Sequence, residues 1–336
     1  MVQGVGLGGH GLDGDGFCDI QEGGSEGEGV SLCECYDASR HPEGVEPECS
    51  LDYNLAMLAT ELVQMNDRAY CVDLQGNYCP VASYDSEGDN PYGVVLGVQA
   101  KVGNVYSAKS VFMRDYSVVY GNVETGGIIE RQSPTPLIYG IATEKTDQKK
   151  LYDVIYAPVL ENAVLNDVDF TTTNYRVFNT NETAIASRDL TMGSTNTGFI
   201  FNSYSQLIVD GTQRRQTSSL QFQSGAKLNI LSGSLELHVG KNFQWNGEIV
   251  AESMIKAAQN IIVYYYGTET VYVQTNFAGT IIAPNAEVVV GQAYGKRYYG
   301  TIFAKRIVLH QNTEFTWVPY SPSVCESIMA YNVNFF

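Results

Sequence analysis

Two stretches of this 336-residue sequence repeat one pattern: residues 277–291 read FAGTIIAPNAEVVVG, and residues 298–310 read YYGTIFAKRIVLH. In both copies Ile is the second residue after Gly and Ala is the fourth, so strand alternation places the Ile and Ala side chains on one face. The two glycines, Gly279 and Gly300, are 21 residues apart, which is close to one coil of a solenoid. Stacking the copies would bury Ile on Ile and Ala on Ala. The repeat therefore predicts a parallel β-helix.

Weaker copies of the pattern lie elsewhere in the chain. Residues 247–251 (GEIVA) form a third copy, 32 residues before Gly279. Residues 103–107 and 121–123 echo the motif 18 residues apart, and residues 108–113 are similar to residues 304–309. A β-sandwich is the alternative, but a sandwich has no reason to repeat identical residues at identical offsets. We expect an all-β, right-handed parallel β-helix over residues 93–320.

Composition agrees with short strands and many turns, because Gly (33 residues) and Tyr (23 residues) are abundant. The formal net charge is -17, and basic residues are adjacent only in pairs, such as Arg214-Arg215 and Lys296-Arg297, which argues against a nucleic-acid partner. No run of 18 apolar residues exists, so we predict no membrane span.

Six of the seven cysteines cluster near the start of the chain, and the seventh lies near its end. The seven are Cys18, Cys33, Cys35, Cys49, Cys71, Cys79 and Cys325. Clustering in a loop-rich segment indicates disulfides formed in an oxidising compartment, whereas the absence of a CxxC pair disfavours zinc. The sequence does not choose among the pairings. Cys325 is the candidate for an intermolecular bond, or it pairs back to the N-terminal segment. Although no signal peptide is visible, we predict an extracellular or cell-surface protein.

The chain divides into four predicted parts. Residues 1–50 form a Gly-, Asp- and Cys-rich segment, and residues 51–92 hold a helix at 52–67 and a connector with two cysteines. The helix is expected from leucines spaced three and four residues apart, and it would cap one open end of the solenoid. Residues 93–320 are the solenoid, and residues 321–336 form a tail strand.

The repeat at 277–310 resembles the C-terminal β-helix of large secreted bacterial surface proteins. In those proteins Gly-x-Ile-x-Ala-Pro-Asn-Ala-x-Val is followed by Gly-x-Ile-x-Ala-Lys-x-Val-x-Leu. The likeness is good over about 45 residues and implies the fold and an extracellular location more than an activity.

The N-terminal segment resembles two calcium- or metal-binding repeats. Residues 13–19 (DGDGFCD) are similar to the calcium loops of thrombospondin type 3 repeats, and residues 33–54 are similar to the metal-binding repeat of the MopE type. Oxygen ligands at alternate positions, with Gly between them, suit Ca²⁺. We expect Asp13, Asp15 and Asp19 as ligands, with a backbone carbonyl from Phe17. The MopE-type aspartate run and its closing Asn-Asp-Cys are depleted here, and a solvated acidic loop is the alternative.

Catalytic motifs are missing from the sequence. The histidines lie outside any nucleophile motif, and we assign no catalytic residue. Exposed aromatic and basic residues are the candidates for ligand or interface contacts: Tyr294, Lys296, Arg297, Tyr298 and Phe335. We predict a secreted structural or adhesive surface protein, not an enzyme, that self-associates through its solenoid ends or terminal segments, with a filament as one form of assembly. The alternative is a carbohydrate-binding or polysaccharide-cleaving β-helix.

Overall fold

The computed structural model describes residues 11–12, 18–19, 55–85, 89–147, 174–190, 196–291 and 295–321. Within these residues the chain forms a β-solenoid of about eleven turns, with two short helices, α1 (Ala186–Asp189) and α2 (Met254–Asn260). Successive coils pair in parallel, which confirms the predicted β-helix class and excludes the β-sandwich. A separate antiparallel pair joins β1 (Gly11–Leu12) to β2 (Cys18–Asp19).

The solenoid is made of two blocks of strands. In the N-terminal block (residues 55–147) they are β3 (Met57–Met65), β4 (Tyr70–Val72), β5 (Val81–Ser83), β6 (Tyr92–Leu96), β7 (Lys101–Val102), β8 (Val105–Ser107), β9 (Ser110–Met113), β10 (Val118–Val119), β11 (Val123–Thr125), β12 (Ile129–Arg131), β13 (Leu137–Ile138) and β14 (Ala142–Thr143). In the C-terminal block (residues 174–321) they are β15 (Asn174–Phe178), β16 (Thr183–Ile185), β17 (Thr197–Phe201), β18 (Gln206–Val209), β19 (Gln213–Phe222), β20 (Lys227–Ile230), β21 (Leu235–Trp245), β22 (Glu248–Val250), β23 (Ile261–Tyr265), β24 (Val271–Val273), β25 (Phe277–Val290), β26 (Arg297–Leu309) and β27 (Glu314–Trp317).

The strongest repeat stacks as the sequence predicts. Ile281 pairs with Ile302 and Ala283 with Ala304, and all four side chains are buried. The weaker repeat at residues 103–107 and 121–123 is also confirmed, because β8 pairs with β11 in register.

The third copy, residues 247–251, does not stack on the other two. Its strand β22 pairs with β20, and β23 is the neighbour of β25 instead. The 32-residue separation accommodates α2 and β23, which take the place beside β25. The third copy therefore shares the residue pattern but not the column of the other two, and the longer separation holds an additional strand.

The predicted capping helix at 52–67 is wrong, because β3 occupies residues 57–65. Its backbone is paired on one edge with β26 and on the other with β5 and β6, so tertiary pairing overrides the helical leucine spacing. The strand turns a corner between Ala59 and Leu62, where the pairing register shifts. That shift breaks the alternation of buried residues and produces the spacing that resembles a helix.

The coils are not stacked in sequence order. The last coil of the C-terminal block pairs with the first coil of the N-terminal block, Ile302 with Met57 and Leu309 with Met65. The solenoid ends, within the described residues, are therefore the β12–β14 coil and the β15–β16 coil. Residues 55–65 lie in the middle of the stack and cap neither end. Leu55 and Ser321, the outermost described residues of the two blocks at this point, both lie near the junction.

A stack of aromatic rings fills much of the C-terminal block. Its members are buried, and neighbouring ring centroids lie 4.7–6.5 Å apart: Phe178, Phe199, Phe201, Phe222, Phe243, Trp245, Phe277, Tyr298 and Phe315. Such side chains contribute large buried areas and favourable ring contacts. The stack holds the coils in register, and it thereby positions neighbouring strands such as β17, β19 and β21.

One corner of the solenoid recurs in seven coils. The corner consists of the four residues that follow a strand, as in residues 202–205 after β17. The third of these residues has a positive φ in each of the seven coils: Asn181, Tyr204, Gly225, Asn312, Arg68, Gln99 and Tyr116. The next residue is buried in six of the seven coils and is small there, as Ser205 and Ala226 illustrate. In each of the seven coils this corner follows the end of a strand and leads into the next face of the solenoid; the strands are β15, β17, β19, β26, β3, β6 and β9.

Candidate functional site

One sheet runs the whole length of the solenoid. Eleven parallel strand segments form it, from β15 through β17, β19, β21, β24, β25, β26, β3, β6 and β9 to β12. Its inward column is apolar and buried from Phe178 to Met113. We call this surface the long sheet.

The outward column of the long sheet carries no charge over ten successive strands. We call it the uncharged stripe: Val177, Ile200, Gln221, Gln244, Tyr272, Val289, Val308, Gln64, Val95 and Phe112. Val177 is 42% exposed, and the members after it are half-buried except Val289, which is 6% exposed. Because parallel strands lie about 4.8 Å apart, the stripe is about 43 Å long.

Amides flank the uncharged stripe at the neighbouring corner. The residue two positions beyond each stripe member is an amide in five successive coils: Asn179, Asn202, Gln223, Asn246 and Gln274. Backbone hydrogen bonds continue the ladder through this column, as from Asn246 N to Phe222 O at 2.9 Å. Asn202 Nδ2 also donates to Asn179 Oδ1 at 3.4 Å. The stripe is thus bordered by neutral hydrogen-bonding groups.

Charges lie at the margins of the stripe. Glu130 follows Phe112 at one end, where the Tyr92 hydroxyl donates to its Oε2 at 2.6 Å. On the adjacent outward column Arg306 pairs with Glu287 at 3.4 Å. A chain with a net charge of -17 therefore keeps one long outward column of this sheet free of charge. The side chains of such a column can approach an apolar or neutral surface without being desolvated as ions themselves.

A second group of exposed apolar residues lies at the β12–β14 end. Leu137 is 48% exposed, Tyr139 67% and Ile141 71%. Tyr139 also closes a row of outward rings that we call the tyrosine stack. In that stack Tyr78 and Tyr120 lie 4.0 Å apart and nearly parallel, and Tyr120 and Tyr139 lie 5.3 Å apart.

The predicted ligand-contact residues do not form one site. Arg297 is exposed, but its Nε donates to Glu314 Oε2 at 2.6 Å. Tyr298 is fully buried, and its hydroxyl donates to the Gly279 carbonyl at 2.9 Å, so its prediction as a contact residue is wrong. Its ring belongs to the aromatic stack because strand alternation turns it inward. Lys296 is half-buried beside the exposed Arg297. Tyr294 and Phe335 lie outside the described residues.

One of the predicted disulfides is present. Cys71 and Cys79 are bonded, with a Cα–Cα distance of 5.4 Å, and both are buried. Cys71 pairs with Phe315 across the strands, so the disulfide continues the interior column beyond the aromatic stack. Cys33, Cys35, Cys49, Cys325 and the side chain of Cys18 lie outside the described residues.

The predicted calcium ligands are also not described: Asp13, Asp15 and Phe17 lie outside the described residues, and Asp19 is described only as part of β2. Within the part of the chain that the structure describes, no group of three or more His, Cys, Asp or Glu side chains is placed to hold a metal ion. The calcium prediction stays a prediction.

A polar cluster lies on the outer surface of β19, β21 and β23. His238 is 8% exposed; its Nδ1 lies 2.6 Å from the Tyr266 hydroxyl and its Nε2 lies 2.7 Å from Glu236 Oε1. Burial raises the pKa of Tyr266 to about 12, so the phenol is protonated at neutral pH and can donate to Nδ1. Nε2–H then donates to Glu236, which also pairs with Arg214 at 3.1 Å. Both histidine nitrogens therefore have partners, as expected of a histidine on a coil face.

The uncharged stripe was missed by sequence reasoning. Each strand contributes one residue, and successive members come from different coils, on both sides of the junction between the blocks. The alternation of apolar and polar residues within single strands was the only trace of it. Knowledge of the register was needed to align these residues.

A family model described as "Putative Ice-binding-like adhesive domain" matches residues 70–317. No curated protein and no solved structure matches the chain. No helix in the described part of the chain is long and apolar enough to cross a membrane.

Proposed function

The chain belongs to the ice-binding-like adhesive domain family, and from this membership we propose that it is an extracellular surface adhesive whose contact face is the uncharged stripe. The β-solenoid serves as a rigid scaffold that presents this face. The proposed role is non-catalytic, and the ligand is a flat neutral surface and not a small molecule.

The observation that supports the proposal is the continuity of the stripe. Ten successive strands place an uncharged side chain at the same position, although Lys, Arg, Asp and Glu together make up 57 residues of the chain. A long row at fixed spacing gives many weak contacts at once, and the rigid coils make these contacts without ordering loops. Aromatic members such as Tyr272 and Phe112 can also stack on apolar or sugar surfaces.

Charge placed in the stripe is expected to abolish adhesion. We expect the double variant Val308→Lys and Val95→Lys to adsorb at least about tenfold less than the wild type, because each contact would then desolvate an ammonium group. The measurement is adsorption of the purified chain to alkyl-coated and cellulose-coated quartz-crystal sensors.

Two controls accompany this variant. Val308→Thr keeps the shape and neutrality of the stripe and is expected to adsorb like the wild type. Ile255→Lys adds a charge at an exposed position of α2, away from the long sheet, and should have little effect. Equal adsorption of the double variant and the wild type, with unchanged unfolding midpoints, would disprove the stripe as the contact face.

We further propose that the chain self-associates through its solenoid ends. Among the described strands, β13 and β14 pair on one side only, as do β15 and β16 at the other end. Unpaired strand edges beside exposed Leu137 and Ile141 favour the addition of another chain. Head-to-tail contacts of this type would extend into filaments.

Self-association predicts a concentration-dependent mass. We expect light scattering after size exclusion to show oligomers for the wild type, and monomers for the variant carrying Leu137→Lys and Ile141→Lys. Leu231→Lys alters a residue that is 60% exposed away from the ends and serves as the matched control. A wild type that stays monomeric at high concentration would contradict this proposal.

Carbohydrate binding is the second candidate function, and the tyrosine stack is the feature that favours it. The outer ring of Tyr139 is 67% exposed and can stack on a sugar. A polysaccharide array with a product assay separates the two functions: binding that Tyr139→Ala removes supports this candidate, and turnover of any glycan contradicts a non-catalytic role.

A further inference from the structure

Two columns of inward side chains run along the long sheet, and each column ends on an arginine at one end of the solenoid. One column begins with Arg176 on β15 and ends with Ile129 on β12, and the other begins with Phe178 and ends with Arg131. Between these ends every member of both columns is apolar and buried. Each end of the long sheet therefore has an arginine at a position that is apolar in all the coils between.

Arg176 lies across the interior at the β15 end. Its guanidinium carbon is 4.8 Å from the centroid of the Phe178 ring, and its Nη2 donates to Asp189 Oδ1 at 2.9 Å. Asp189 is 8% exposed and also accepts hydrogen bonds from Ile185 N and from Arg188. Phe178 is only 4% exposed, although no described strand pairs with β15 on its outer edge. The arginine is thus held over the last ring of the column.

The β12 end is closed in a comparable way. Arg131 is exposed at the inward position that follows Met113. Ile128 O accepts the hydrogen bond from Val111 N of the neighbouring strand, so Ile129 N points to the outer edge of β12. There Glu144 Oε1 accepts from Ile129 N at 2.7 Å. A charged side chain therefore also occupies the edge N–H that a docking strand would need.

A second copy that continued the long sheet would bury both arginines. With its β15 beside β12, Arg176 would lie opposite Ile129 and Arg131 opposite Phe178. The side chain of Arg176 is 50% exposed and would lose this contact with water. Transfer of a guanidinium into an apolar interior is costly, and inward charges on edge strands oppose edge-to-edge association.

We propose that Arg131 and Arg176 are charged end caps that limit the stacking of a second copy on the solenoid. This inference rests on the proposed self-association, because it concerns the same ends and sets the concentration at which they join. Stacking requires both guanidiniums to be displaced into solvent, so the wild type associates only at high concentration.

Removal of the two charges is expected to promote association. The variant with Arg131→Leu and Arg176→Leu should form oligomers at a concentration at least about tenfold lower than the wild type, because both columns are then apolar to their ends. The measurement is the mass of the full chain by light scattering over a concentration series. Arg131→Leu alone should shift the onset in the same direction, and it leaves the pair of Arg176 with Asp189 intact.

Three control variants accompany the measurement. Arg131→Lys keeps the charge and should associate like the wild type. Lys256→Leu exchanges a cation for leucine on α2, where the side chain is 61% exposed and far from both ends, and it should have no effect. Adding Leu137→Lys and Ile141→Lys to the double leucine variant should restore monomers.

The outcomes separate the end caps from the proposed self-association. Equal masses of the wild type and the double leucine variant at every concentration would overturn the end caps. Oligomers that persist after Leu137→Lys and Ile141→Lys are added would do the same, because their contact lies elsewhere. A wild type that stays monomeric while the double leucine variant assembles would support the end caps and contradict only the self-association of the wild type.

Discussion

Gly300→Ala is expected to destabilise the protein by about 3 kcal/mol or more. Gly300 has a φ of +144°, a conformation that residues with a side chain rarely adopt. It stacks on Gly279, and an added Cβ would overlap the Gly279 carbonyl oxygen and its backbone carbon. Because backbone of a central strand cannot give way as a flexible side chain can, β25 and β26 would have to separate. The measurement is the midpoint of denaturant unfolding at an unchanged slope.

Gly295→Ala separates the overlap from the backbone conformation. Gly295 also has a positive φ, +67°, but an added Cβ there meets nothing within 4 Å. This variant should cost only about 1 kcal/mol, which is the strain of the left-handed conformation alone. Equal losses for the two variants would show that close strand contact at Gly300 is not what requires glycine.

Phe222→Ala is expected to cost about 3–5 kcal/mol of stability. The Phe222 ring is 1% exposed and lies 4.7 Å from both the Phe201 and Trp245 rings. Its removal leaves a cavity between two coils and deletes two ring contacts at once. Trp245 borders that cavity, so its fluorescence reports the loss directly as unfolding is followed in denaturant.

Two comparisons test the origin of that loss. Phe222→Leu refills part of the cavity and should recover about half of the stability. Tyr175→Ala removes an aromatic side chain of the same sheet that is 54% exposed, and we expect a change of less than about 1 kcal/mol. If Phe222→Ala unfolds at the wild-type midpoint, the aromatic stack does not hold the coils together.

The fold class followed from the sequence because a solenoid repeats its contacts. Ile281 and Ile302 occupy equivalent positions in adjacent coils, and that equivalence is visible as a repeat. Where adjacent coils carry different residues at equivalent positions, the sequence revealed less of the backbone conformation. The corner residues with positive φ include Tyr204 and Tyr116, which no turn rule would select. The pairing of the flanking strands with neighbouring coils imposes that conformation, so local propensity did not reveal it.

Non-local pairing also explains the remaining errors. The helical spacing in residues 52–67 arises from a strand that bends at a corner, and only its neighbours β26, β5 and β6 reveal this. The uncharged stripe depends on the same register. Gln64 and Val308 are adjacent in space but belong to opposite parts of the sequence. No periodicity within one segment could bring them together.

The junction between the blocks also has a consequence for biosynthesis. Met57 pairs with Ile302, which is synthesised about 240 residues later, so this pairing cannot form before then. At about 5–20 residues per second this delay is between about 12 and 50 seconds. Throughout that time the edge of β3 that pairs with β26 lacks this partner, and such an edge is a template for pairing with another nascent chain. The hazard of misassembly is therefore set by the speed of the ribosome and by chaperone protection, and not by the stability of the finished solenoid.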